Sequence, residues 1–226
     1  MKTVVVTGAN HGLGLALTRH FLQAGWRVAA FARTPPDIAP SQQLRVELAD
    51  LTDMAALSAA VDRLKGVPVD VLINNAAVYD SEDVEAPAAS KNFDTLTNVF
   101  QVNTIVPRLL ANALVPNLQA GQDKLVVTMS SGMGTFADID EYNGAHWGYS
   151  ASKAAVNLAM IGFAKVHPDL KSALVNPGWV QTKMGGSGAL IPADEAAAYI
   201  YKLIAEHPDA LPNAKLVDYE GKGMEL

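Results

Sequence analysis

No cysteine occurs among the 226 residues, so neither a disulfide framework nor thiol chemistry is open to this chain, and a reducing compartment suits it. Nor does any apolar run approach the roughly 18 residues of a membrane-spanning helix. Charge is sparse: 18% of residues are charged and the net charge is -6, which argues against nucleic acid or an anionic membrane as the main partner. No linker rich in Gly, Ser or like charges divides the chain, internal repeats are not evident, and no spacing of histidines and acids marks a metal site. Half of the residues are apolar, which excludes disorder. The expectation is one globular domain over 1–226, of a size that buries about 70% or more of its unfolded surface. Met1-Lys2-Thr3 runs directly into the first apolar stretch, so no signal peptide is expected and the expected location is cytoplasmic.

Apolar, β-branched runs alternate with helical periodicities along the chain. Strands are predicted at 3–7, 27–32, 44–48, 69–73, 124–129, 172–176 and 214–217. Most are continuous apolar runs, of the kind that a parallel sheet buries on both faces. Leu13, Leu17 and Phe21 form a helical stripe that Gly25 ends, and Met54, Leu57, Val61 and Leu64 form another over 53–65, with Thr52 or Asp53 as N-cap and Gly66 as stop. Longer helices are predicted at about 93–119 and 148–165, and a further one at about 193–206. Residues 34–43 hold Pro35, Pro36 and Pro40, so the link between the second and third strands is predicted to be a loop. With right-handed crossovers this gives an α/β, Rossmann-like, doubly wound parallel sheet of about seven strands in the order 3-2-1-4-5-6-7, helices covering both faces.

Two constellations carry chemistry. Directly after the first strand stands Gly8-Ala9-Asn10-His11-Gly12-Leu13-Gly14: Gly8 permits a sharp turn, Gly12 lets backbone approach a pyrophosphate, and Gly14 lets helix pack close to strand. Far downstream, Tyr149-Ser150-Ala151-Ser152-Lys153 sets a phenol and an ammonium one helical turn apart on the same face. A phenol with a pKa near ~10 is a poor proton shuttle at neutral pH, and a nearby cation favours the phenolate. Lys153 is therefore expected to depress the pKa of Tyr149. A Tyr-x-x-x-Lys pair is common on helices by chance; the glycine turn upstream turns it into the reading of a nicotinamide-dependent oxidoreductase.

Taken together these motifs resemble the short-chain dehydrogenase/reductase family in its non-extended branch, over nearly the whole chain. Thr7 to Gly14 is similar to the family's T-G-x-x-x-G-x-G turn, Asp50-Leu51 to the pair that touches adenine, Asn74-Asn75-Ala76 to its N-N-A-G, and Tyr149 with Lys153 to its catalytic pair. Asn103, Ser131 and Pro177-Gly178 with Thr182 match further family positions. The run Asn176 to Thr182, with Met184-Gly185-Gly186 and Asp218-Tyr219-Glu220-Gly221, is similar to the C-factor and sniffer-type carbonyl reductases. The resemblance implies a catalytic tetrad of Asn103, Ser131, Tyr149 and Lys153. Ser131 would hydrogen-bond the substrate oxygen, Tyr149 would donate the proton, Lys153 would tune Tyr149 and hold the nicotinamide ribose, and Asn103 would anchor a relaying water. Ser130 is the rival for the serine role, and a kink-filling amide beside Pro107 is the alternative for Asn103.

The cofactor would lie on Gly8, Asn10, His11, Gly12, Leu13, Gly14, Arg33, Asp50, Leu51, Asn75, Ala76, Tyr149, Lys153, Pro177, Gly178, Val180 and Thr182. Ala32 holds the place at the end of the second strand where NAD binding usually needs an acid, and Arg33 follows it. NADP(H) is therefore favoured over NAD(H), with Arg33 and His11 as candidates for its extra phosphate. A solvated charge for Arg33 and a plain turn residue for His11 are the alternatives.

Two departures from the family pattern stand out. Ala77 replaces the usual glycine after Asn74-Asn75-Ala76, with tolerance expected. Ser131 and Tyr149 are 18 positions apart, longer than the resemblance implies, so 132–148 is predicted as an enlarged flap carrying Met133, Phe136, Tyr142, His146 and Trp147 among Asp138, Asp140 and Glu141. Its aromatics are either a substrate wall or a surface loop with one or two anchors. Trp179 and Met184, in a substrate loop at about 183–192 and just before it, are expected to close the opposite side. The leading function is reduction of an aldehyde or ketone, or oxidation of the alcohol, with Tyr149 as general acid/base. The alternatives are a non-catalytic NADP(H)-binding regulator, whose tetrad would be degraded, and a structural interaction protein. The family's long helices pair into a four-helix interface, so a homodimer or homotetramer is expected beside a small-molecule carbonyl or alcohol substrate.

Overall fold

The computed structural model describes residues 1–79, 90–137 and 146–226. Its frame is a sheet built from β1 (Thr3–Thr7), β2 (Arg27–Ala32), β3 (Leu44–Leu48), β4 (Val71–Asn74), β5 (Leu125–Met129), β6 (Lys171–Asn176), β9 (Leu216–Asp218) and β10 (Gly223–Met224). The order is β3-β2-β1-β4-β5-β6-β9-β10. All neighbours are parallel except the terminal pair β9 and β10. The predicted order holds for the first seven strands. The eighth, β10, has only two residues and begins on a glycine, too little pattern to be visible in sequence. A separate small ribbon joins β7 (Val180–Gln181) to β8 (Ile191–Pro192) in parallel.

Period-two alternation splits the core between the two faces of the sheet. Val4 and Val6 of β1 join one cluster with Leu17, Phe21 and Ile200. Val5 between them joins the other, with Leu72, Leu110, Met160 and Phe163. The first face is covered by α1 (Gly12–Gln23) and α7 (Ala193–Ala205), and the second by α2 (Met54–Asp62), α4 (Val106–Ala113), α5 (Val115–Ala120) and α6 (Trp147–Val166). Interior strands read as unbroken apolar runs because both their faces are buried. Asp53 caps α2 by accepting from the Ala55 and Ala56 N–H groups at 2.9 and 3.1 Å. Residues 34–43 form no helix.

The single helix predicted at 93–119 is broken into pieces: α3 (Ser90–Phe100), a π turn at Gln101–Ile105, then α4 and α5. Pro107 and Pro116 stand near the starts of α4 and α5. Each lacks the N–H that a continuous helix needs there, so the chain re-enters the helix with a changed register. No helix among the described residues is long and apolar enough to cross a membrane.

Candidate active site

The ends of β1, β4 and β5 and the start of α6 meet around a cleft of about 660 Å³. Its floor is backbone. Gly8 and Gly12 adopt φ of +67° and +55°, the left-handed region in which a side chain is strained. A Cβ on Gly14 would stand 2.2 Å from the Gly8 carbonyl oxygen and 2.5 Å from Asn75 Nδ2, so only glycine fits. The Thr7 hydroxyl ties the turn to the segment after β4, accepting from the Asn75 and Ala76 N–H groups at 2.9 and 3.0 Å, while Asn75 Nδ2 donates to the Thr7 carbonyl at 2.9 Å. Ala77 lines the cleft and has no positive φ, so its backbone does not require a glycine. His11, the N-cap of α1, makes no side-chain cap bond, and Gly12, Leu13 and Gly14, which open α1, line the cleft, so the helix N-terminus stands at its wall, where an anion is favoured.

At the nucleotide end, Asn10 Nδ2 donates to Thr34 Oγ1 at 2.8 Å, holding the loop after β2 against the glycine turn. Thr52 donates to Asp50 through its N–H and its hydroxyl, and these bonds, with the Arg33 guanidinium nearby, hold the Asp50 carboxyl below its ordinary value. Arg33 and His11 line the same cleft, and Ala32 supplies no acid.

At the opposite end, α6 carries Tyr149 and Lys153. Their side chains are 9% and 3% exposed. Ser131 stands beside the phenol and favours its charged form, and its hydroxyl accepts from the Met133 N–H at 3.1 Å. Ser130 also lines the cleft, but its hydroxyl is taken up in donating to Asn157 Oδ1. Lys153 Nζ lies 5.6 Å from the Tyr149 ring centre and donates to the Met129 carbonyl at 2.7 Å. The expected depression of the phenol is not what these groups produce. Burial pushes Tyr149 up to about 12, partly opposed by Ser131 and reinforced by Tyr79, and burial pushes Lys153 down to about 8. Desolvation outweighs the cation because the ammonium is aimed at a carbonyl rather than at the phenol oxygen. At neutral pH the phenol keeps its proton and the ammonium keeps its charge.

Every residue expected to hold the cofactor lines the cleft. Of the expected tetrad, Ser131, Tyr149 and Lys153 line it too, whereas Asn103, 1% exposed in the π turn, sits one layer behind. Its amide donates to the Val78 carbonyl and the Ser152 hydroxyl, and its Oδ1 accepts from the Val78 N–H, all at 2.9 to 3.0 Å. Pro107, four residues on, has no N–H to offer the Asn103 carbonyl. In the flap, Met133 lines the cleft; Phe136 and Trp147 are exposed and do not. His146 packs on Tyr79, while Tyr142, Asp138, Asp140 and Glu141 lie outside the described residues. Trp179 and Met184 line the cleft, and the Trp179 indole N–H donates to the Gly185 carbonyl at 2.9 Å. Sequence reasoning missed Tyr79, whose ring meets that of Tyr149 edge to face at 4.9 Å. The available signal was an aromatic immediately following the Asn74–Val78 motif. No group of His, Asp or Glu suited to a metal exists among the described residues.

Fold and site together define a dinucleotide-binding oxidoreductase. Residues 2–189 match the short chain dehydrogenase family, and the chain belongs to that family, whose members act on carbonyl and alcohol groups. The C-signal protein of Myxococcus xanthus is 31% identical over 160 residues, covering 68% of this chain and 90% of its own. Among solved structures, the NADPH-bound carbonyl reductase from chicken fatty liver is 27% identical with a TM-score of 0.83, covering 100% of this chain and 99% of its own. The carbonyl reductase Sniffer of D. melanogaster, 24% identical, shares the fold at a TM-score of 0.87 over 100% of both chains.

Proposed function

We propose that this chain is an NADP(H)-dependent reductase of an aldehyde or ketone, able to run in reverse on the alcohol. The observation that carries the reading is the buried Tyr149 phenol, sharing the cleft wall with Ser131 and followed one turn later by Lys153, where the glycine turn makes the floor. The cradle fits a dinucleotide: at Gly14 a Cβ would collide with backbone, and at Gly12 one would press on Thr182 at 3.0 Å. The α1 N–H groups would hold the pyrophosphate, Asp50 and Leu51 the adenine, Lys153 the nicotinamide ribose, and Asn75, Ala76, Pro177, Gly178, Val180 and Thr182 the rest of the nicotinamide half. Arg33 and His11 would grip the additional phosphate. When bound, the reduced nicotinamide supplies hydride.

The protein's own part is electrostatic and protic. Ser131 polarises the substrate oxygen and stabilises the charge growing on it, a contribution of about 10²- to 10³-fold for one well-placed donor. Tyr149 delivers its proton to that oxygen. A phenol held protonated by burial is loaded for this direction. Lys153, 5.6 Å from the Tyr149 ring centre, lends its positive field to the charge that proton transfer leaves on Tyr149, and the Asn103 carbonyl, relieved of its helical donor by Pro107, would accept from a water that carries protons inward. Exposed Ile105, Leu109 and Leu158 on the π turn, α4 and α6 support association into a homodimer or homotetramer, measurable by sedimentation.

A panel of aldehydes and ketones followed by NADPH absorbance loss tests the reading. Turnover of at least one carbonyl compound, with higher kcat/KM for NADPH than for NADH, is expected. Preference for NADH would overturn the assignment of Arg33 and His11, and binding of NADPH with no turnover across the panel would favour the regulator instead.

A further inference from the structure

We propose that Tyr79 is the specificity-determining wall of this site, a fixed aromatic surface beside Tyr149 that selects carbonyl compounds in which the carbonyl is attached to a flat aromatic ring. The inference rests on the reductase reading above and names the substrate class of the same cleft.

Tyr79 lies five residues beyond the end of β4 and lines the cleft. One ring edge meets Tyr149 at 4.9 Å between centres with planes at 67°, and His146 packs on it at 4.5 Å and 34°. The ring is held in place through its neighbour. Val78 is gripped at both its N–H and its carbonyl by the Asn103 amide, which also donates to the Ser152 hydroxyl at 3.0 Å. Ser152 in turn donates to the Tyr149 carbonyl at 2.7 Å, and Thr104 Oγ1 donates to the Ser152 carbonyl at 2.8 Å. The π turn, the start of α6 and the residue before Tyr79 are thus one hydrogen-bonded unit, so the backbone next to the Tyr79 ring is tied to the helix that carries the phenol. His146, on the far side, adopts φ +56°, a left-handed conformation that costs a non-glycine residue about 1 kcal/mol. Strain of this kind persists where the surroundings over-determine it.

Consider a carbonyl oxygen within hydrogen-bond reach of Tyr149 and Ser131. A ring joined directly to that carbonyl lies beside the phenol, where Tyr79 stands. Aromatic rings attract one another edge to face or offset at about 4.5–7 Å between centres, the spacing that Tyr79 already keeps to Tyr149. Met133 and Met184 share the cleft, and thioethers make favourable contacts with ring edges. A short aliphatic aldehyde has no ring with which to meet these surfaces. A pre-fixed wall also loses little conformational freedom when the substrate arrives, so its contacts appear in affinity rather than being spent on ordering.

The test measures kcat/KM with NADPH for benzaldehyde and for propanal in wild type, Tyr79→Ala, Tyr79→Leu and Tyr79→Phe, and the dissociation constants of both aldehydes by ligand-observed NMR. The benzaldehyde-to-propanal ratio is expected to exceed one in wild type, to fall about tenfold in Tyr79→Ala and Tyr79→Leu, mainly through KM, and to stay within about twofold in Tyr79→Phe, which keeps the ring. Tyr79→Leu keeps an apolar filling, so it answers the question if the alanine variant does not fold; retained NADPH affinity certifies each variant. A ratio unchanged in the leucine variant, or lost in the phenylalanine variant, overturns the proposal. Should the wild type bind both aldehydes and reduce neither, the reductase reading fails while the ratio of dissociation constants still judges Tyr79.

Discussion

The two ends of the cleft are made of different material. The nucleotide end is mostly main chain: left-handed glycines at 8 and 12, the N–H groups opening α1, and the Thr7 hydroxyl fastening the turn to residues 75 and 76. The substrate end is mostly side chain: Tyr79, Met133, Trp179 and Met184, arriving from four separate loops. Backbone can be aimed at a ligand in few ways, because each requires a particular φ and the absence of a Cβ. Side chains can line a pocket in many ways. The first end is therefore suited to a ligand that does not vary, and the second to one that can.

The sharpest test of this division is Tyr149→Phe, which removes the transferable proton from the seam between the two ends and leaves the ring. Turnover is expected to fall by about 10²- to 10⁴-fold, with NADPH affinity measured by fluorescence within about threefold of wild type. A Phe variant with substantial activity would remove Tyr149 from the chemistry. Next in size is Gly14→Ala. The added Cβ would be forced within 2.2 Å of the Gly8 carbonyl oxygen, a contact with backbone that cannot rotate away, so urea denaturation should show a loss of about 3 kcal/mol or more together with lost dinucleotide binding. By contrast Met184→Ala, at an exposed side chain of the substrate end, should leave stability within about 0.5 kcal/mol. Equal losses for these two variants would dissolve the contrast.

What could be read from sequence follows the same division. Gly8, Gly12 and Gly14, the strand runs and the Tyr149–Lys153 spacing were legible because each is a local constraint: a backbone angle, a burial pattern, one turn of helix. Ala77 was legible as a departure, though that its backbone needs no glycine took the structure to show. The place of Tyr79 was not, since its neighbour Val78 is fixed by Asn103, 25 positions away from Val78. The breaks at Pro107 and Pro116 were visible as prolines, but whether a proline stops a helix or opens the next one depends on the packing around it. Lys153 was placed correctly on the Tyr149 face, but its bond to the Met129 carbonyl is a tertiary fact, and with it went the expected acidification of the phenol.

Arg33→Ala probes the nucleotide end alone. Charge-assisted bonds from a guanidinium contribute about 1.5–3 kcal/mol, so the ratio of kcat/KM for NADPH to that for NADH should fall about 10- to 100-fold, with NADH efficiency nearly constant. A fall shared equally by both cofactors would mean that Arg33 is not reading the extra phosphate and acts through Asp50, whose carboxyl it helps to keep ionised.

Lys153 stands at the seam, and its burial sets function against stability. Its ammonium falls from an ordinary 10.5 to about 8 in the fold because it is desolvated. Between pH 8 and 10.5 the unfolded chain therefore holds more protons than the folded one at this site, and by linkage the stability contributed here rises with pH across that window. Below pH 8 the lysine is charged in both states and the full cost of burying it is present. The Tyr149 phenol has the opposite sign: raised from 10.0 to about 12, it contributes stability that is intact below pH 10 and lost as pH climbs toward 12. Replacing Lys153 by Met removes the buried charge and keeps most of the stem. At pH 7 the variant should be inactive yet more stable by about 1–2 kcal/mol, the desolvation relieved being partly offset by the Met129 carbonyl left without its donor. That advantage should shrink as both proteins are denatured at successive pH values from 8 to 10. If Lys153→Met is instead less stable at pH 7 by an amount that does not vary with pH, the ammonium is a net structural tie to β5, and the cost of holding a charge at the seam is carried elsewhere in the site.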